Sequence, residues 1–404
     1  MNLCKICEAL TQLITSFGKM PRANALLSDP TEEEFFYDLD LVFCPKCFMV
    51  QINQCVDPTL LFNQDYTFIS STSQAMARHF KQISQDIVNI LSSKQHPFVV
   101  ELGCNDGVML QHIASKDIKH IGIEPSSNVA AMARSKGINV SEIFFNQNTA
   151  QEILDTYGHA DVICGSNVTC HIENINSVFA GAHKLLKEDG IFFFEDPYLL
   201  DILKLGSFDQ IYDAHIYLFS GHAISFLAKK HGLELVDMKH QSVHGGSMRY
   251  FLKKGKGHLI SSRVDNYLLE EKEYHLNTYL GYQGFSDRID KICLSLKATL
   301  SKIKEEGFTI SGYGATAKSS TVLNRAKIGC DLIDYICDVT PTKINKFTPG
   351  MHIPIKSYEY FLAHPPDYTF LLAWNHREEI MTKEKEYISK GGRFITYFPA
   401  VLIT

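Results

Sequence analysis

The sequence predicts an α/β protein in three parts: a small zinc-binding module, a doubly wound parallel sheet, and a second, smaller α/β domain. Two Cys-x-x-Cys pairs lie near the start of the chain, at 4–7 and 44–47. Two later segments, 96–113 and 307–326, each have the pattern of an apolar strand, a glycine turn and a helix. The 404 residues also exceed the usual size of one core, about 150 residues per domain. We expect three units, namely 1–65, 66–256 and 257–404.

The composition is that of a globular protein without a preference for nucleic acid. Hydrophobic residues make up 45%, charged residues 21%, and the net charge is −6, so no basic surface is indicated. The opening "MNLCKICEAL" lacks the basic end and apolar core of a signal peptide. No apolar run approaches the roughly 20 residues that span a bilayer. We therefore expect a cytoplasmic protein with reduced cysteines and with neither a nucleic-acid nor a membrane partner.

The cysteine pairs "CKIC" and "CPKC" indicate a metal site. Each pair can form a tight knuckle that turns both sulfurs toward one ion, and two knuckles make a tetrahedral tetrathiolate site. The alternating stretch "FFYDLDLVFC" (35–44) predicts a strand that leads into the second knuckle. A redox role would suit a single pair, but two pairs in one short module favour structural zinc. The predicted ligands are Cys4, Cys7, Cys44 and Cys47.

The segment "HPFVVELGCNDGVMLQHI" (96–113) predicts a nucleotide-binding turn. Gly103 and Gly107 allow the backbone to turn tightly and to approach a ligand. Glu124 ends the next strand, where an acid about 20 residues past the turn can hold the ribose hydroxyls of an adenosine. This pattern alone is compatible with NAD, FAD or S-adenosylmethionine (SAM). The spacing Gly103-x-Asn105-x-Gly107 lacks the third small residue that eases a helix against a pyrophosphate, which favours SAM.

The next elements continue the alternation of strands and helices. "ADVICGSNVTCHI" (160–172) predicts a strand with a polar end, and 175–198 predicts a helix, a Lys-Glu-Asp-Gly turn and a further strand. This order predicts a parallel, doubly wound sheet with ligands at the carboxyl ends of its strands. Asn167 lies at the tip of the fourth strand, where a class I methyltransferase faces the methionine part of SAM. "EDPY" (195–198) is similar to a box of nucleic-acid amino-methylating enzymes, but it follows the fifth strand instead of the fourth, so we discount it.

The segment "GFTISGYGATAKSSTVLNRA" (307–326) predicts a second turn of the same kind after a long amphipathic helix at 285–303. Its "GYGATA" (312–317) satisfies the dinucleotide fingerprint, and Asp338 ends the following strand at a suitable distance. Taken alone, this pattern favours NAD and a dehydrogenase. Backbone amides at the start of such a helix would equally suit the diphosphate of a nucleotide sugar. The local sequence does not separate these two ligands.

Several blocks in order resemble the deoxysugar C-methyltransferases. They are the two cysteine pairs, "VVELGCNDGVML", "FEDPYLLDILKLGSFDQIYDAHIYLFS", "VHGGSMRY" and "GYGATAKSSTVLN". The likeness extends to "AWNHREEIMTKEKEY", so it covers essentially the whole chain. Within this family the sequence looks most like the C-3′-methyltransferase that acts on a dTDP-linked 4-keto sugar in D-tetronitrose biosynthesis.

The resemblance implies a function for each unit. It implies a structural zinc module, a class I SAM methyltransferase domain, and a Rossmann-like domain that helps to hold the nucleotide sugar without nicotinamide. We therefore predict a SAM-dependent C-methyltransferase that acts on a dTDP-linked 4-keto deoxysugar at C-3′. The alternative is an NAD-dependent oxidoreductase that uses the C-terminal fingerprint.

The resemblance also implies the catalytic residues. His215 and Tyr212 match the family's catalytic histidine and tyrosine, and His171 and Tyr66 match two further active-site residues. Methylation at carbon requires a base for the C-3′ proton and donors around the oxygen at C-4′. We predict His215 as the base and Tyr212 as a donor or an alternative base, with His171 and Tyr66 orienting the sugar. The close relative has a glutamate at the position of Ala214.

Three further predictions complete the site. Asp213 could compensate for the missing glutamate. Lys318 and Asn324 are predicted to contact the diphosphate or the sugar. The predicted SAM-binding residues are Gly103, Asn105, Gly107, Glu124 and Asn167.

Overall fold

The structure is a computed structural model that describes residues 3–404, and it contains three β-sheets. The strands of these sheets are numbered in chain order: β1 (Gln12–Pro21), β2 (Phe36–Phe43), β3 (Val50–Ile52), β4 (Phe98–Leu102), β5 (Lys119–Ile123), β6 (Val140–Ser141), β7 (Ala160–Ser166), β8 (Leu186–Pro197), β9 (Tyr217–Leu218), β10 (Leu233–Gln241), β11 (Ser247–Lys254), β12 (Ile310–Tyr313), β13 (Tyr335–Cys337), β14 (Ile355–Lys356), β15 (Tyr368–Leu371), β16 (Arg393–Thr396) and β17 (Leu402–Ile403).

Helices cover the sheets and connect their strands. The α-helices are α1 (Pro58–Leu61), α2 (Gln74–Leu91), α3 (Gln111–Ala114), α4 (Ser127–Ser135), α5 (Gln147–Tyr157), α6 (Ile175–Leu185), α7 (Leu199–Leu205), α8 (Gly221–Lys230), α9 (Ser262–Glu273), α10 (Phe285–Glu305), α11 (Ala317–Ala326), α12 (Tyr358–Ala363), α13 (Arg377–Lys383) and α14 (Lys385–Ser389). Short 3-10 helices that matter for the site are Thr169–His171, Phe208–Gln210, Val243–Gly245 and Trp374–His376. Within residues 3–404, a helix long and apolar enough to cross a lipid bilayer is absent.

The first sheet has the order β1-β2-β3-β9, and all its neighbouring strands are antiparallel. Its strand β2 confirms the strand predicted in "FFYDLDLVFC". The fourth strand, β9, comes from much later in the chain and pairs Leu218 with Val50. A further bond, from the Ile52 amide to the Ile216 carbonyl at 2.8 Å, extends this contact. The N-terminal module therefore anchors the segment that immediately follows the predicted catalytic residues.

The second sheet confirms the predicted doubly wound α/β fold. Its order is β10-β11-β8-β7-β4-β5-β6; the strands from β8 to β6 are parallel, and β11 is antiparallel to both neighbours. The five residues of β4 are all buried, as expected for a strand covered by helices on both faces. From β4 the chain continues to β5 and β6 on one side of β4 and then crosses to β7 on its other side. The topological switch point therefore lies between β4 and β7.

One predicted helix in this sheet is short, and one local prediction was wrong. The helix after the first glycine turn is only α3, four residues long, and it begins at Gln111 because residues 103–110 form turns over the ligand edge. The Lys-Glu-Asp-Gly segment at 187–190, predicted as a turn, forms the start of β8. There β8 pairs with β7 through an irregular register between Ala160 and Val162, which accommodates the polar residues at the end of the sheet.

The third sheet has the order β14-β13-β12-β15-β16-β17 and is parallel except for β17. The helix α10 confirms the predicted amphipathic helix, because its apolar stripe is buried. On its other side, Arg288 in α10 donates to the Leu203 carbonyl at 2.8 Å and so links this helix to the middle unit. The buried positions recur at helical spacing, at Phe285, Ile289, Ile292, Leu296, Leu300 and Ile303.

The N-terminal module also contacts the C-terminal unit. Glu34 accepts a hydrogen bond from the Gly350 amide at 2.7 Å and lies 2.6 Å from Nε2 of His352. Leu27 pairs with Phe347 in an isolated antiparallel bridge. The N-terminal module thus packs against both α/β units.

Candidate active site and zinc centre

The four predicted zinc ligands converge in the N-terminal module. The Sγ atoms of Cys4, Cys7, Cys44 and Cys47 all lie within 4.8 Å of one another. Two pairs, Cys4 with Cys47 and Cys7 with Cys44, are separated by 3.4 Å. Four thiolates around one centre are the donor set of a closed, structural zinc site.

The backbone of the two knuckles is built in the same way. The Glu8 amide donates to the Cys4 carbonyl at 2.9 Å, and the Phe48 amide donates to the Cys44 carbonyl at 2.9 Å. Both residues that follow a second cysteine have a left-handed backbone, with φ of 59° at Glu8 and 63° at Phe48. The two knuckles, distant in the chain, thus have the same backbone geometry. Together they present four cysteines that can bind one zinc ion.

The predicted SAM turn needs glycine at both of its glycine positions. Gly103 has φ of +63°, and a Cβ there would lie 2.7 Å from Cγ2 of Val168. Gly107 has φ of +76°, and a Cβ there would lie 2.1 Å from Cδ1 of Ile138. Side chains at these two positions would strain the backbone and displace packed neighbours. Glycine is therefore the residue that both positions require.

Glu124 lies directly beside this turn, at the end of β5. Its Oε2 accepts from the Asn105 amide at 3.0 Å and its Oε1 accepts from the Ser126 amide at 2.9 Å. Burial raises the pKa of this carboxyl, and the two amide donors act in the opposite direction. An ionised carboxylate has about four acceptor sites, so two remain for the hydroxyl groups of a ribose.

Asn105 is at the predicted turn, and its side chain binds a neighbouring loop. Its Oδ1 accepts from the Ser70 amide at 3.0 Å, and its Nδ2 donates to the Phe68 carbonyl at 3.1 Å. Asn128 in α4 similarly donates to the Tyr66 carbonyl at 2.8 Å. The two carboxamides therefore hold residues 66–70, here called the covering segment, over the turn.

Asn167 lies at the switch point of the sheet, as predicted. It follows β7 with φ of 52°, and its amide donates to the Glu195 carbonyl at 2.7 Å. Its neighbour Val168 is the residue that packs against Gly103. Along this edge several buried polar atoms have no hydrogen-bond partner within residues 3–404, which fits a site for a polar cofactor. They are Glu101 Oε2, Ser126 Oγ, Asn128 Oδ1 and Ser166 Oγ.

The predicted base, His215, is buried, with 3% of its surface exposed. Its Nδ1 lies 2.7 Å from the Gln210 carbonyl oxygen. Because a carbonyl only accepts, Nδ1 carries the proton and the neutral ring presents the lone pair of Nε2. The backbone therefore selects the tautomer that a general base requires.

The other three predicted catalytic residues join His215 in a chain of ring contacts. The ring centres of Tyr212 and His215 are 4.3 Å apart, and those of His171 and His215 are 5.0 Å apart and perpendicular. Phe62 links His171 to Tyr66, with centroid distances of 5.7 Å and 5.6 Å. Sequence reasoning did not identify Phe62, because a phenylalanine carries no group that can move a proton.

Burial makes these groups neutral. Burial, followed by the fields of His171 and Lys318, holds the pKa of His215 well below its ordinary value. Burial alone lowers the pKa of His171 to about 4. It raises the pKa of the Tyr212 hydroxyl well above its ordinary value, and nearby acids and thiols act in the same direction. At neutral pH the cluster contains an uncharged acceptor and an uncharged donor.

Asp213, which was suggested to compensate for the missing glutamate, binds two backbone amides. Its Oδ2 accepts from the Ala23 amide and its Oδ1 accepts from the Ala214 amide, both at 2.9 Å. Burial raises the pKa of this carboxyl to about 6. Oδ2 thus attaches the catalytic segment to the N-terminal module and Oδ1 binds within that segment, while the suggested compensation stays a prediction.

The C-terminal unit contributes Lys318 to the same region. Its Nζ is buried and has no hydrogen-bond partner within residues 3–404. Asn324, the second predicted substrate residue, is committed to its own unit, since its Nδ2 donates to the Ser320 carbonyl at 2.9 Å and the Pro349 carbonyl at 3.1 Å. The structure therefore favours Lys318 and not Asn324 as a ligand of the substrate.

Two residues that sequence reasoning missed lie at the interface between the units. Asp209 accepts from Nε1 of Trp374 at 2.6 Å through Oδ2, while its buried Oδ1 has no partner in the described chain. Burial raises the pKa of this carboxyl to about 6. His244 likewise has a buried Nε2 without a partner. Asp209 stands three residues before Tyr212, so only its place in the quoted segment could have indicated it.

A second group of possible metal donors coincides with the catalytic cluster. Sγ of Cys170 and a ring nitrogen of each of His171 and His215 lie within 4.8 Å of one another. This is a sulfur and nitrogen donor set that thiophilic cations accept. The predicted base belongs to it, so a cation bound there would occupy the lone pair of His215.

Three family models match the chain and together cover most of it. They are the "Putative zinc binding domain" over residues 4–62, the "Methyltransferase domain" over 76–238 and the "C-methyltransferase C-terminal domain" over 242–399. The C-methyltransferase NovU of Streptomyces niveus is 32% identical over 400 residues, which is 98% of this chain and 95% of that protein.

Solved structures of methyltransferases align with part of the chain. Magnesium protoporphyrin IX methyltransferase (ChlM) from Synechocystis PCC 6803 with bound SAM is 12% identical, with a TM-score of 0.34, over 45% of this chain and 82% of that chain. A SAM-dependent methyltransferase from Clostridium acetobutylicum ATCC 824 is 14% identical, with a TM-score of 0.34, over 44% and 92%.

The predicted class of enzyme is confirmed by the family models and by the full-length relative. Nothing in these comparisons supports the NAD-dependent oxidoreductase alternative. The zinc-binding model spans all four cysteines of the tetrathiolate centre, and the methyltransferase model spans the glycine turn and Glu124. The chain belongs to the same family as NovU and is a SAM-dependent C-methyltransferase with an N-terminal zinc-binding domain.

Proposed function

We propose that the protein methylates C-3′ of a dTDP-linked 4-keto deoxysugar. The observation that supports this most directly is His215, a buried imidazole whose Nδ1 is held by the Gln210 carbonyl, so that the lone pair of the neutral ring is on Nε2. A carbon acquires nucleophilic character when it loses a proton beside a ketone. A base of this kind in a methyltransferase of carbon is what that chemistry requires.

His215 takes the first step. Its Nε2 removes the proton from C-3′, the electron pair of the broken C–H bond moves into the sugar, and the negative charge develops on the oxygen at C-4′. Bound SAM supplies the electrophilic methyl group that forms the new C–C bond. The proton remains on His215 and is later released to solvent, so each turnover produces one methylated sugar, one S-adenosylhomocysteine (SAH) and one proton.

Tyr212, His171 and Tyr66 assist by donation and orientation. The buried hydroxyl of Tyr212, whose ring lies against His215 at 4.3 Å, donates to the oxygen at C-4′. His171 and Tyr66, whose rings both contact Phe62, orient the sugar. Because Tyr66 belongs to the covering segment, it also places the sugar against the cofactor.

The cofactor occupies the edge at the β4–β7 switch point. Glu124 accepts from the ribose hydroxyls, the backbone at Gly103 and Gly107 allows close approach, and Asn167 faces the methionine part. The nucleotide part of the sugar lies on the C-terminal unit near the start of α11, where backbone amides suit a diphosphate. Lys318 is the side chain that this unit contributes to substrate binding.

The proposal is tested by the products formed from dTDP-4-keto sugars. The enzyme is incubated with SAM in deuterated water, and the site of methylation and of deuterium entry is determined by NMR and mass spectrometry. We expect methylation at C-3′, and exchange at C-3′ when SAH replaces SAM. Parallel calorimetric titrations should show binding of SAH and dTDP and no binding of NAD.

The variant His215→Ala tests the base, and His159→Ala, on the exposed surface, is the matched control. Loss of a positioned base typically costs about 10²–10⁴-fold in rate, so exchange should fall by that factor in His215→Ala only. Methylation of nitrogen or oxygen by the wild-type enzyme would refute the proposed reaction. Undiminished exchange in His215→Ala would refute the assignment of the base.

A further inference from the structure

The most unusual charge in the site region is the ammonium of Lys318. Its Nζ is buried and unpartnered within residues 3–404. Removing an ammonium from water without a compensating partner is strongly unfavourable. Burial lowers the pKa of Lys318, while Asp209 and Cys170 act to raise it. A fold that keeps such a group at a ligand site is arranged for an anion that arrives with the substrate or forms during the reaction.

The neighbours of Lys318 in α11 show where this ammonium is directed. Ala317, the preceding residue, packs against the small cluster that contains Tyr212 and Ala214. Thr321, one turn later on the same face of α11, donates from Oγ1 to the Ile211 carbonyl at 2.7 Å. The face of α11 that carries Lys318 therefore lies on the catalytic segment, from the C-terminal side of the active site.

The charges around the site are consistent with this placement. The ammonium field contributes to the low pKa of His215 and of His244, although burial is the first cause at both. Asp209 is the acid whose field acts most on Lys318, and its Oδ1 has no partner in the described chain. Its Oδ2 is already used by Trp374 at 2.6 Å. The negative charge of Asp209 thus acts on the ammonium of Lys318, but within the described chain the two side chains form no hydrogen bond that a substrate would have to break.

We infer that Lys318 is a catalytic residue that binds the oxygen at C-4′ and stabilises the negative charge formed there when His215 removes the C-3′ proton. This inference rests on the proposed function. No bond to Lys318 forms or breaks: its ammonium donates one hydrogen bond, which is strengthened as the ketone oxygen becomes an enolate oxygen. A point charge fixed in a dry site stabilises such an oxyanion far better than water-exposed charge would. The C-terminal unit then supplies part of the catalytic apparatus.

The competing anion is the diphosphate of the same substrate. An ammonium that binds diphosphate would act mainly on affinity, whereas one that binds the enolate oxygen would act on the rate at saturating substrate. The two roles are therefore separated by measuring binding and proton exchange in the same variants.

The test uses the full-length protein with Lys318→Met, which keeps the length of the side chain and removes the charge. The matched control is Lys327→Met, at the exposed end of the same helix. Deuterium entry at C-3′ is followed at saturating sugar with SAH bound, and the Kd values of dTDP and SAH are measured by calorimetry. Zinc content and the melting temperature establish that each variant is folded.

We expect Lys318→Met to slow the exchange at saturation by at least about 100-fold, the usual cost of one oxyanion donor. The Kd of dTDP should change by less than about threefold, and Lys327→Met should match the wild type. Lys318→Arg, which retains the charge, should restore at least about tenfold of the lost rate. Failure of arginine to restore any rate would contradict a role of the charge.

A rise of the Kd of dTDP with unchanged exchange at saturation would assign Lys318 to the diphosphate and overturn the inference. The same variants distinguish this result from failure of the proposed function. If the wild-type enzyme itself did not exchange the C-3′ hydrogen of any dTDP-4-keto sugar, the proposed reaction would fail, whatever Lys318→Met does.

Discussion

The middle and C-terminal units contain the same device at their first glycine turns. In the middle unit, Glu124 accepts from the Asn105 and Ser126 amides at 3.0 Å and 2.9 Å. In the C-terminal unit, Asp338 accepts from the Ala315 and Thr340 amides, both at 2.8 Å. In each, the acid that ends the second strand binds one amide in the turn and one amide two residues after itself.

The two turns differ in what surrounds the acid. Nζ of Lys343 donates to the Ala315 carbonyl at 2.8 Å and lies 3.8 Å from Oδ2 of Asp338. In the middle unit the corresponding region has Lys136, but this lysine pairs with Asp106 at 2.8 Å and not with Glu124. The acid of the C-terminal turn thus has a lysine beside it, whereas the lysine near the middle unit's turn is paired with Asp106 and not with Glu124.

The first glycines of the two turns lie at different points relative to their strands. Gly103 adopts a left-handed backbone that opens the turn. Gly312 stays within β12, and a Cβ there would lie 2.8 Å from the Ile336 side chain and 3.0 Å from that of Leu372. The left-handed glycine of the C-terminal turn is Gly314, which follows β12 with φ of +88°, and a Cβ there would lie 2.6 Å from Cβ of Ala373. The two turns thus share their acid and their left-handed glycine, so the spacing of a fingerprint does not by itself distinguish the proposed SAM site from the proposed nucleotide-sugar site, and the C-terminal pattern taken alone favoured NAD.

Removal of zinc is expected to have the largest effect, because both units pack against the module that the metal holds together. Structural zinc contributes on the order of 10 kcal/mol in zinc-finger peptides at neutral pH, which is comparable with the whole stability of a domain. We expect the chelated protein, and Cys44→Ser, to lose methyl transfer and SAH binding together with a fall in melting temperature. Cys330→Ser, at an exposed free cysteine, is the control.

The outcome of that experiment also bears on the comparison of the two units. If the metal-free protein kept SAH binding but lost dTDP binding, the module would support only the C-terminal unit. Full methyl transfer by a protein shown to contain no zinc would contradict a structural role of the metal.

Substitution of Glu124 and of Asp338, one at a time, tests directly whether the two turns differ in ligand binding. We expect Glu124→Gln to raise the Kd of SAH by about 10–100-fold, because hydrogen bonds to a charged group contribute about 1.5–3 kcal/mol. Asp338→Asn should leave the Kd of SAH within about threefold, since the C-terminal turn binds no adenosine. Calorimetry with SAH on both variants provides the measurement. Equal losses in the two variants would show that the two acids do not differ as described.

Sequence reasoning identified the site where the chemistry of single residues is local. Thiolate pairs, glycines that need a left-handed backbone and an acid at a strand end have spacing that follows from their geometry, so the cysteine cluster and the glycine turn with its acid could be predicted. The position of His215 depended on a resemblance, since "IYDAHIYLF" alone would also suit a packed segment. Its tautomer could not be predicted, because the Gln210 carbonyl that fixes it is set by the 3-10 helix Phe208–Gln210.

What could not be predicted from the sequence is the contact between distant parts of the chain. The use of the Asn105 side chain on Ser70, the tie between Asp213 and Ala23, and the pairing of Trp374 with Asp209 each join distant parts of the chain. Each partner lies on a loop or a helix end whose position depends on how whole units pack. No periodicity or motif in either partner indicates the other.

The pH dependence of the reaction tests the burial of His215 and is expected to be a moderate effect. Its pKa is held well below the ordinary value by burial, so the ring stays neutral as the pH falls toward 6.5. We expect kcat/KM for the sugar to remain constant from pH 8 to about 6.5, the ordinary histidine pKa, and to decline only at lower pH. A decline centred at or above that value would contradict a depressed pKa.

Stability must be followed over the same range, because it changes with the same group. Below its unfolded pKa of about 6.5, this histidine binds a proton in the unfolded chain but not in the folded one. The unfolded state then holds more protons, so the free energy of unfolding contributed by His215 falls as the pH falls. The folded fraction measured by circular dichroism at each pH separates loss of the base from loss of the fold.

The smallest expected effect concerns the covering segment, which lies over the turn of the middle unit. Asn128→Ala removes the hydrogen bond to the Tyr66 carbonyl, and one such bond contributes about 1 kcal/mol, or about fivefold in an equilibrium constant. We expect both the Kd of SAH and the KM of the sugar to rise by about that factor, because the segment covers the cofactor and also carries Tyr66.

The exposed Asn148→Ala is the control and should leave both constants unchanged. If Asn128→Ala altered only the sugar constant, the segment would position Tyr66 without contacting the cofactor. Parallel changes in the two constants would instead mean that binding of SAM and closure over the sugar share one element. The turn of the middle unit would then differ from its C-terminal counterpart in two respects. Its acid has different neighbours, and its hydrogen bonds hold the covering segment, which is part of the active site.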